Sequence, residues 1–274
     1  MGSARPAVMI VDDEPTTVDV LEVLLQGEGY TRLVTTTEPG RALELLARTV
    51  PDVLLLNLLM PEVGGLEILA AMRKDAALAR IPVHILTSST DAEAKLAALE
   101  LGAHDFLAKP VDPSELALRL RNTLALRALH EGPGPARPSA DRLPELTRPL
   151  PSAGRPAPGA SAVGDEAPQA GRPLVSRLAG VSPRLRAIAD KFVDRLEEKL
   201  AEMEQSRRAC DFDALVDFAH WLRGAAGTVG FDAFTGPAEA FKAHARARSA
   251  DEVDASIREI LALAARVTRS GGRP

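Results

Sequence analysis

Two groups of polar residues in this 274-residue chain have types and spacing that could do chemistry. The first is spread along the N-terminal half: the adjacent carboxylates Asp12 and Asp13, then Asn57, Thr87 and Lys109, each at or just after the end of a short apolar run. Two carboxylates and a carbonyl oxygen suit Mg²⁺, a hard cation that takes oxygen ligands and keeps several waters. A nearby hydroxyl and ammonium could hold the remaining oxygens of a phosphoryl group. The second group is compact: His220, Arg223, Gly224 and Gly227 within AHWLRGAAGTVG. A neutral imidazole is a good nucleophile near pH 7, and the phosphoramidate it forms passes its phosphoryl group on readily. Arg223, three residues along a helix from His220, supplies a positive charge within reach of that ring. Taken singly, each residue has a plainer reading: a solvated acidic loop, a helix N-cap at Thr87, a turn at Lys109-Pro110, an exposed histidine on a polar helix face. The common position of the first set, at one end of successive apolar runs, weighs for phosphoryl chemistry.

The elements that must position the first set alternate. Short apolar runs at Ala7 to Val11, Arg32 to Thr36, Asp52 to Leu56, Pro82 to Thr87 and Asp105 to Ala108 are separated by amphipathic stretches. Those stretches lie near Pro15 to Gln26, Pro39 to Ala47, Gly65 to Lys74, Ala92 to Leu101 and Pro113 to Leu129. Five strands alternating with five helices predict a doubly wound, five-stranded parallel α/β sheet, whose ligands sit beyond the carboxyl ends of the strands. His84, inside an apolar run, and His104, near a turn, read as structural.

The second set lies on helices throughout. Ser182-Pro183 is an N-cap followed by a first-turn proline, and Leu185, Ile188, Phe192, Leu196, Leu200 and Met203 form one stripe of the helix it opens. Further helices are expected from about Asp213 to Val229, Asp232 to Ala247 and Asp251 to Thr268, giving an all-α four-helix bundle. In the second of these, Leu215, Ala219, Leu222, Ala226 and Val229 share an apolar face at about 100° per residue, and His220 falls roughly 150° from its centre, so it is expected to face solvent. Two glycines inside a helix each cost about 1 kcal/mol relative to alanine, and bare backbone beside His220 would let another protein's active site approach. His244, among charged residues on the third helix, reads as solvated surface.

Between the two bodies, residues 131–173 hold ten prolines and six glycines but no Phe, Trp, Tyr or Ile. Such a segment cannot bury enough apolar surface to offset its ordering entropy and is expected to be a disordered linker. Six of the seven phenylalanines and Trp221 follow it, so the two cores differ in kind. The expected division is 5–128, 129–174 for the linker, and 175–270. A net charge of -5 argues against a protein whose main business is gripping nucleic-acid phosphate. One cysteine, Cys210, excludes an internal disulfide, a cysteine-rich zinc site and a CxxC pair. No apolar run approaches the ~20 residues of a membrane span, which makes a cytoplasmic location the expectation.

Four segments, VMIVDDEP, LLLNLLMPEVGG, HILTSS and GAHDFLAKP, together resemble the receiver domain of bacterial two-component response regulators, a flavodoxin-like fold. The resemblance implies that Asp12 and Asp13 bind Mg²⁺ with the backbone carbonyl of Leu59, that Thr87 and Lys109 contact the phosphoryl group, and that Phe106 changes rotamer on activation. It also implies an aspartate acceptor where this chain has Asn57. An amide oxygen is neither anionic nor a competent nucleophile, so residue 57 is expected not to be phosphorylated, Mg²⁺ binding to be weakened, and Lys109 to lose an anionic partner. Two origins fit Asn57: a receiver that has lost its acceptor, and a deliberate replacement of an aspartate.

The segment around His220 resembles the histidine phosphotransfer domain, whose pattern His220, Leu222, Gly224 and Gly230 match, with Arg223 in place of a lysine. Together the resemblances imply a phosphorelay protein without its own kinase domain, in which His220 exchanges a phosphoryl group with an aspartate on a separate receiver. The implied partners are a sensor or hybrid histidine kinase and separate response regulator receivers. The alternative is a non-catalytic scaffold that titrates a kinase or response regulator.

Overall fold

The structure, a computed structural model, describes residues 5–87, 92–130 and 173–269. The expected linker lies almost wholly outside the described residues. At its margins, α5 continues to His130, and Leu174 pairs in parallel with Val267 at the foot of the bundle.

The N-terminal body runs β1 (Ala7–Val11), α1 (Pro15–Gly27), β2 (Arg32–Thr36), α2 (Ala42–Thr49), β3 (Val53–Asn57), α3 (Gly65–Lys74), β4 (Val83–Thr87), α4 (Ala92–Glu100), β5 (Asp105–Ala108) and α5 (Pro113–His130). All strand pairs are parallel, in the order β2-β1-β3-β4-β5. The interior strands are apolar almost without interruption because both sheet faces are covered. Met9, Val11, Leu54, Leu56 and Ile85 face Leu46, Ile68, Leu69 and Met72 of α2 and α3. Val8, Ile10, Val53, Leu55 and Leu107 face Leu21, Leu25, Leu116 and Leu120 of α1 and α5. β3 extends one residue further than its apolar run, to Asn57, which is held in register with Leu86.

The C-terminal body is helical: α6 (Pro183–Arg208), α7 (Phe212–Thr228), α8 (Thr235–Arg246) and α9 (Ala250–Ala264). Ser182 caps α6 by accepting from the Leu185 N–H at 3.2 Å, with Pro183 in the first turn. Asp211 caps α7 through the Ala214 N–H at 3.0 Å. Their apolar stripes meet in one core, where Phe192 stacks on Trp221 and Phe231 and the edge of Phe218 meets Phe241. Gly230 ends α7 at φ +85, a conformation that side-chain-bearing residues resist, and a Cβ there would lie 2.8 Å from Arg177.

The two bodies pack against each other. Val20 of α1, 2% exposed, belongs to the core of the bundle rather than to that of the sheet, with Val23 and Leu24 beside it. Burying a valine in this way contributes roughly 1.5–3 kcal/mol relative to leaving it in water. Arg195 of α6 pairs with Glu14 at 2.7 Å, and Arg184 donates to Gln26.

Candidate functional site

At the carboxyl ends of β1 and β3, Asn57 is nearly buried and its amide nitrogen donates to Asp13 Oδ1 at 2.8 Å and to the Leu59 carbonyl at 2.9 Å. The Lys109 ammonium donates to Asp12 Oδ2 at 2.6 Å, with both side chains buried. Lys109 therefore keeps an anionic partner, contrary to expectation: Asp12 replaces the carboxylate that Asn57 lacks. Burial pushes the Asp12 carboxyl above the usual carboxylate range, against the pull of Lys109. Thr87 is buried at the end of β4, where its carbonyl accepts from the Lys109 N–H at 2.7 Å, and Phe106 packs on the core under α3 and α4.

These residues face the bundle. Asp12, Asp13, Asn57, Leu59 and Lys109 line one cleft with His220 and Gly224 of α7, Lys242 and Arg246 of α8, and Arg195 of α6. Thr87 and Phe106 do not line it. His220 is half-buried against the other body, so the expectation that it faces solvent is corrected. Helical periodicity located the face opposite the bundle core, but in this molecule that face is covered by a second domain. Loss of hydration holds the His220 imidazole down to about 4, and the positive charges of Lys242, Lys109, Arg223 and Arg246 add to the effect. The ring is therefore neutral near pH 7, the form in which a ring nitrogen can attack phosphorus.

Arg223 is placed differently from the sequence reading. It is buried and pairs with Glu239 of α8 at 2.7 Å, whereas Lys242 of α8 brings its Nζ to 3.4 Å from His220 Nδ1. Sequence reasoning missed Lys242 because it lies on another helix, and no short-range spacing connects residues 22 positions apart. Gly227 is closely approached: a Cβ on it would lie 3.2 Å from Pro110, whereas one on Gly224 would meet nothing within 4 Å. His244 is also corrected, from solvated surface to a half-buried residue bonded to Ser256 Oγ at 2.9 Å. His84 is fully buried, with its Nε2 2.8 Å from Thr123 Oγ1, and His104 Nδ1 accepts from the Val83 N–H at 3.4 Å.

A parallel α/β body with an acidic pair, a hydroxyl and a lysine at its strand ends, followed by a helical body carrying a neutral histidine among cations, defines a class of phosphoryl-handling signalling protein. Comparison makes the class specific. Residues 8–121 match the model of the response regulator receiver domain and residues 187–270 that of the Hpt domain, the modules of two-component phosphorelay signal transduction. Over 127 residues the chain is 37% identical to the response regulator SaeR of Staphylococcus aureus, covering 46% of this chain and 54% of that protein. Over 124 residues it is 33% identical to the DNA-binding response regulator MtrA of Mycolicibacterium smegmatis, covering 45% of this chain and 53% of that protein. The chain thus spans about half the length of these curated relatives. Among solved structures it is similar to a response regulator of Chloroflexus aurantiacus, at 35% identity and a TM-score of 0.42 over 44% of this chain and 98% of that one. It is also similar to the chemotaxis protein CheY4 of Vibrio cholerae, at 28% identity and a TM-score of 0.42 over 44% and 99%.

Receiver domains generally bind Mg²⁺ at the phosphorylation site. Here the oxygens that would hold it are engaged, Asp13 and the Leu59 carbonyl by the Asn57 amide and Asp12 by Lys109. Among the described residues no group of three or more His, Cys, Asp or Glu is placed to hold a metal, and no helix is long and apolar enough to cross a membrane.

Proposed function

We propose that this chain is a phosphoryl carrier in which His220 is the phosphorylated residue and Asn57 leaves the receiver unable to accept at position 57. The carrying observation is the setting of His220: an imidazole held neutral, with Lys242 3.4 Å from one ring nitrogen in a cleft lined by further cations. A ring nitrogen attacks the phosphorus of an aspartyl phosphate on a separate receiver. The bond from phosphorus to the carboxylate oxygen breaks, and the carboxylate leaves. The reverse step returns the group to an aspartate. Lys242 is within reach of phosphoryl oxygens on the ring, and Arg223, paired with Glu239, contributes charge from one turn away. Partners of this chemistry are separate receiver domains and the sensor or hybrid histidine kinases that load them.

Asn57 supports the second half of the reading. Its amide N–H groups stand between Asp13 and the Leu59 carbonyl, as a cation would, and satisfy both oxygens without carrying a net charge. Mg²⁺ is accordingly bound weakly, and the receiver serves regulation or docking rather than catalysis.

The test uses purified receivers phosphorylated with acetyl phosphate and mixed with the wild-type chain and its His220→Gln and Asn57→Asp variants. Acid-labile label is expected on the wild type, at background on His220→Gln, and additionally at position 57 in Asn57→Asp when Mg²⁺ is present. Equal labelling of wild type and His220→Gln would refute the assignment.

A further inference from the structure

The face of α7 that carries His220 is also the face on which the two bodies meet. Pro110, next to Lys109 on the receiver, sits over Gly227, two helical turns from His220, so closely that a Cβ there would lie 3.2 Å from it and a larger side chain would push it away. Arg195 and Glu14 form an ion pair across the junction, and Val20 fills the edge of the bundle core. The contact thus combines apolar burial at Val20, a matched charge pair at Arg195 and Glu14, and close packing on backbone at Gly227. Beside it opens the cleft lined by the strand ends that, in a phosphorylatable receiver, would present the acceptor.

We propose that this face is a receiver-docking surface occupied in cis by the chain's own receiver, so that a phosphorylated receiver from another protein must displace it to reach His220. The inference rests on the reading of His220 as the phosphorylated residue and adds the identity of its resident partner. Three features fit an occupant rather than a donor. Asn57 faces the cleft but cannot take the phosphoryl group, so the docked receiver does not drain His220. Lys109 is already neutralised by Asp12, so the docked pocket makes little demand on an anion carried by the histidine. The intramolecular tether keeps the occupant at a high effective concentration whatever the supply of external receivers.

Diethyl pyrocarbonate, which acylates neutral imidazole, reads access to His220 directly in the full chain. Near pH 7 the docked ring, held down to about 4, is neutral, and Lys242, Arg223 and Arg246 of the bundle itself still disfavour its protonation once the receiver leaves, so reactivity reports access rather than protonation. Gly227→Leu pushes Pro110 away while improving helix propensity, and Arg195→Glu places like charges against Glu14 from a different helix. Both variants are expected to raise the carbethoxylation rate of His220, measured by peptide mass spectrometry. The expected rise is on the order of tenfold, the protection given when roughly nine molecules in ten are docked. His244, bonded to Ser256 of α9 and not among the residues lining the cleft, serves as the internal standard, and an unchanged His244 rate shows that the bundle remains folded. Equal His220 rates in wild type and both variants would overturn the proposal.

The same samples are then mixed with a single-domain receiver phosphorylated by acetyl phosphate. Faster labelling of the variants supports the proposal. Relief of protection without any labelling leaves the docked receiver standing and removes the phosphotransfer reading instead.

Discussion

His84 shows how much a single buried residue can set. It is fully enclosed in β4, one ring nitrogen meets Thr123, and the other has no hydrogen-bond partner among the described residues. Burial holds its imidazole down to about 4 from the usual 6.5, against the pull of Asp105. The folded state thus favours the neutral ring, and the unfolded chain binds the extra proton between those two values. Stability from this residue is fully present above about pH 6.5 and is lost as pH falls toward about 4, by roughly 3 kcal/mol in all. Urea denaturation across that window should show a steeper fall for the wild type than for His84→Leu. Identical slopes would exclude His84 as the cause, whatever the absolute stability of the variant. At the same scale, the amide of Asn57 and the ammonium of Lys109 divide the acidic pair between them.

At the scale of the element, α7 carries two glycines with different surroundings. Gly227 lies against Pro110, where an added Cβ would make a tight contact at 3.2 Å. Gly224 borders the cleft and an added Cβ would meet nothing within 4 Å. Gly224→Ala should therefore stabilise the helix by about 1 kcal/mol and raise the melting temperature by a few degrees. If Gly224 is there to admit a partner's active site, the same variant slows phosphotransfer while stabilising the bundle. A melting temperature that stays the same or falls would contradict the open surroundings of this position. The position of α7 itself was legible: the stripe Leu215, Ala219, Leu222, Ala226 and Val229 is buried as its period requires.

At the scale of the molecule, the junction makes α1 part of two cores. Leu21 and Leu25 pack under the sheet, while Val20, on another side of the same helix, packs into the bundle. Val20→Asp should separate the bodies without unfolding either, because the change falls on a surface that only docking covers. Trp221, the single tryptophan, lines the shared cleft with its indole N–H buried and without a partner among the described residues. Separation admits water to that group, so emission from Val20→Asp should shift to the red of the wild type. Unchanged emission together with an unchanged hydrodynamic radius would show that Val20 does not hold the junction.

By itself the sequence determined what local rules and short-range spacing can carry. Strands and helices followed from apolar period, the α6 cap from Ser182-Pro183, and the strand-end positions of Asp12, Asp13, Asn57, Thr87 and Lys109 from alternation alone. Each of those depends on neighbours within a few residues or on the one rule that parallel sheets gather their strand ends. Only the tertiary structure decided which charges pair and what covers His220. Lys109 finds Asp12 across 97 positions, Lys242 reaches His220 from another helix, and the face that periodicity assigned to solvent meets Pro110 and looks across a cleft to the receiver pocket. Pairings of that kind depend on how faces from distant elements meet, and no period within a single element records which surface will arrive opposite it.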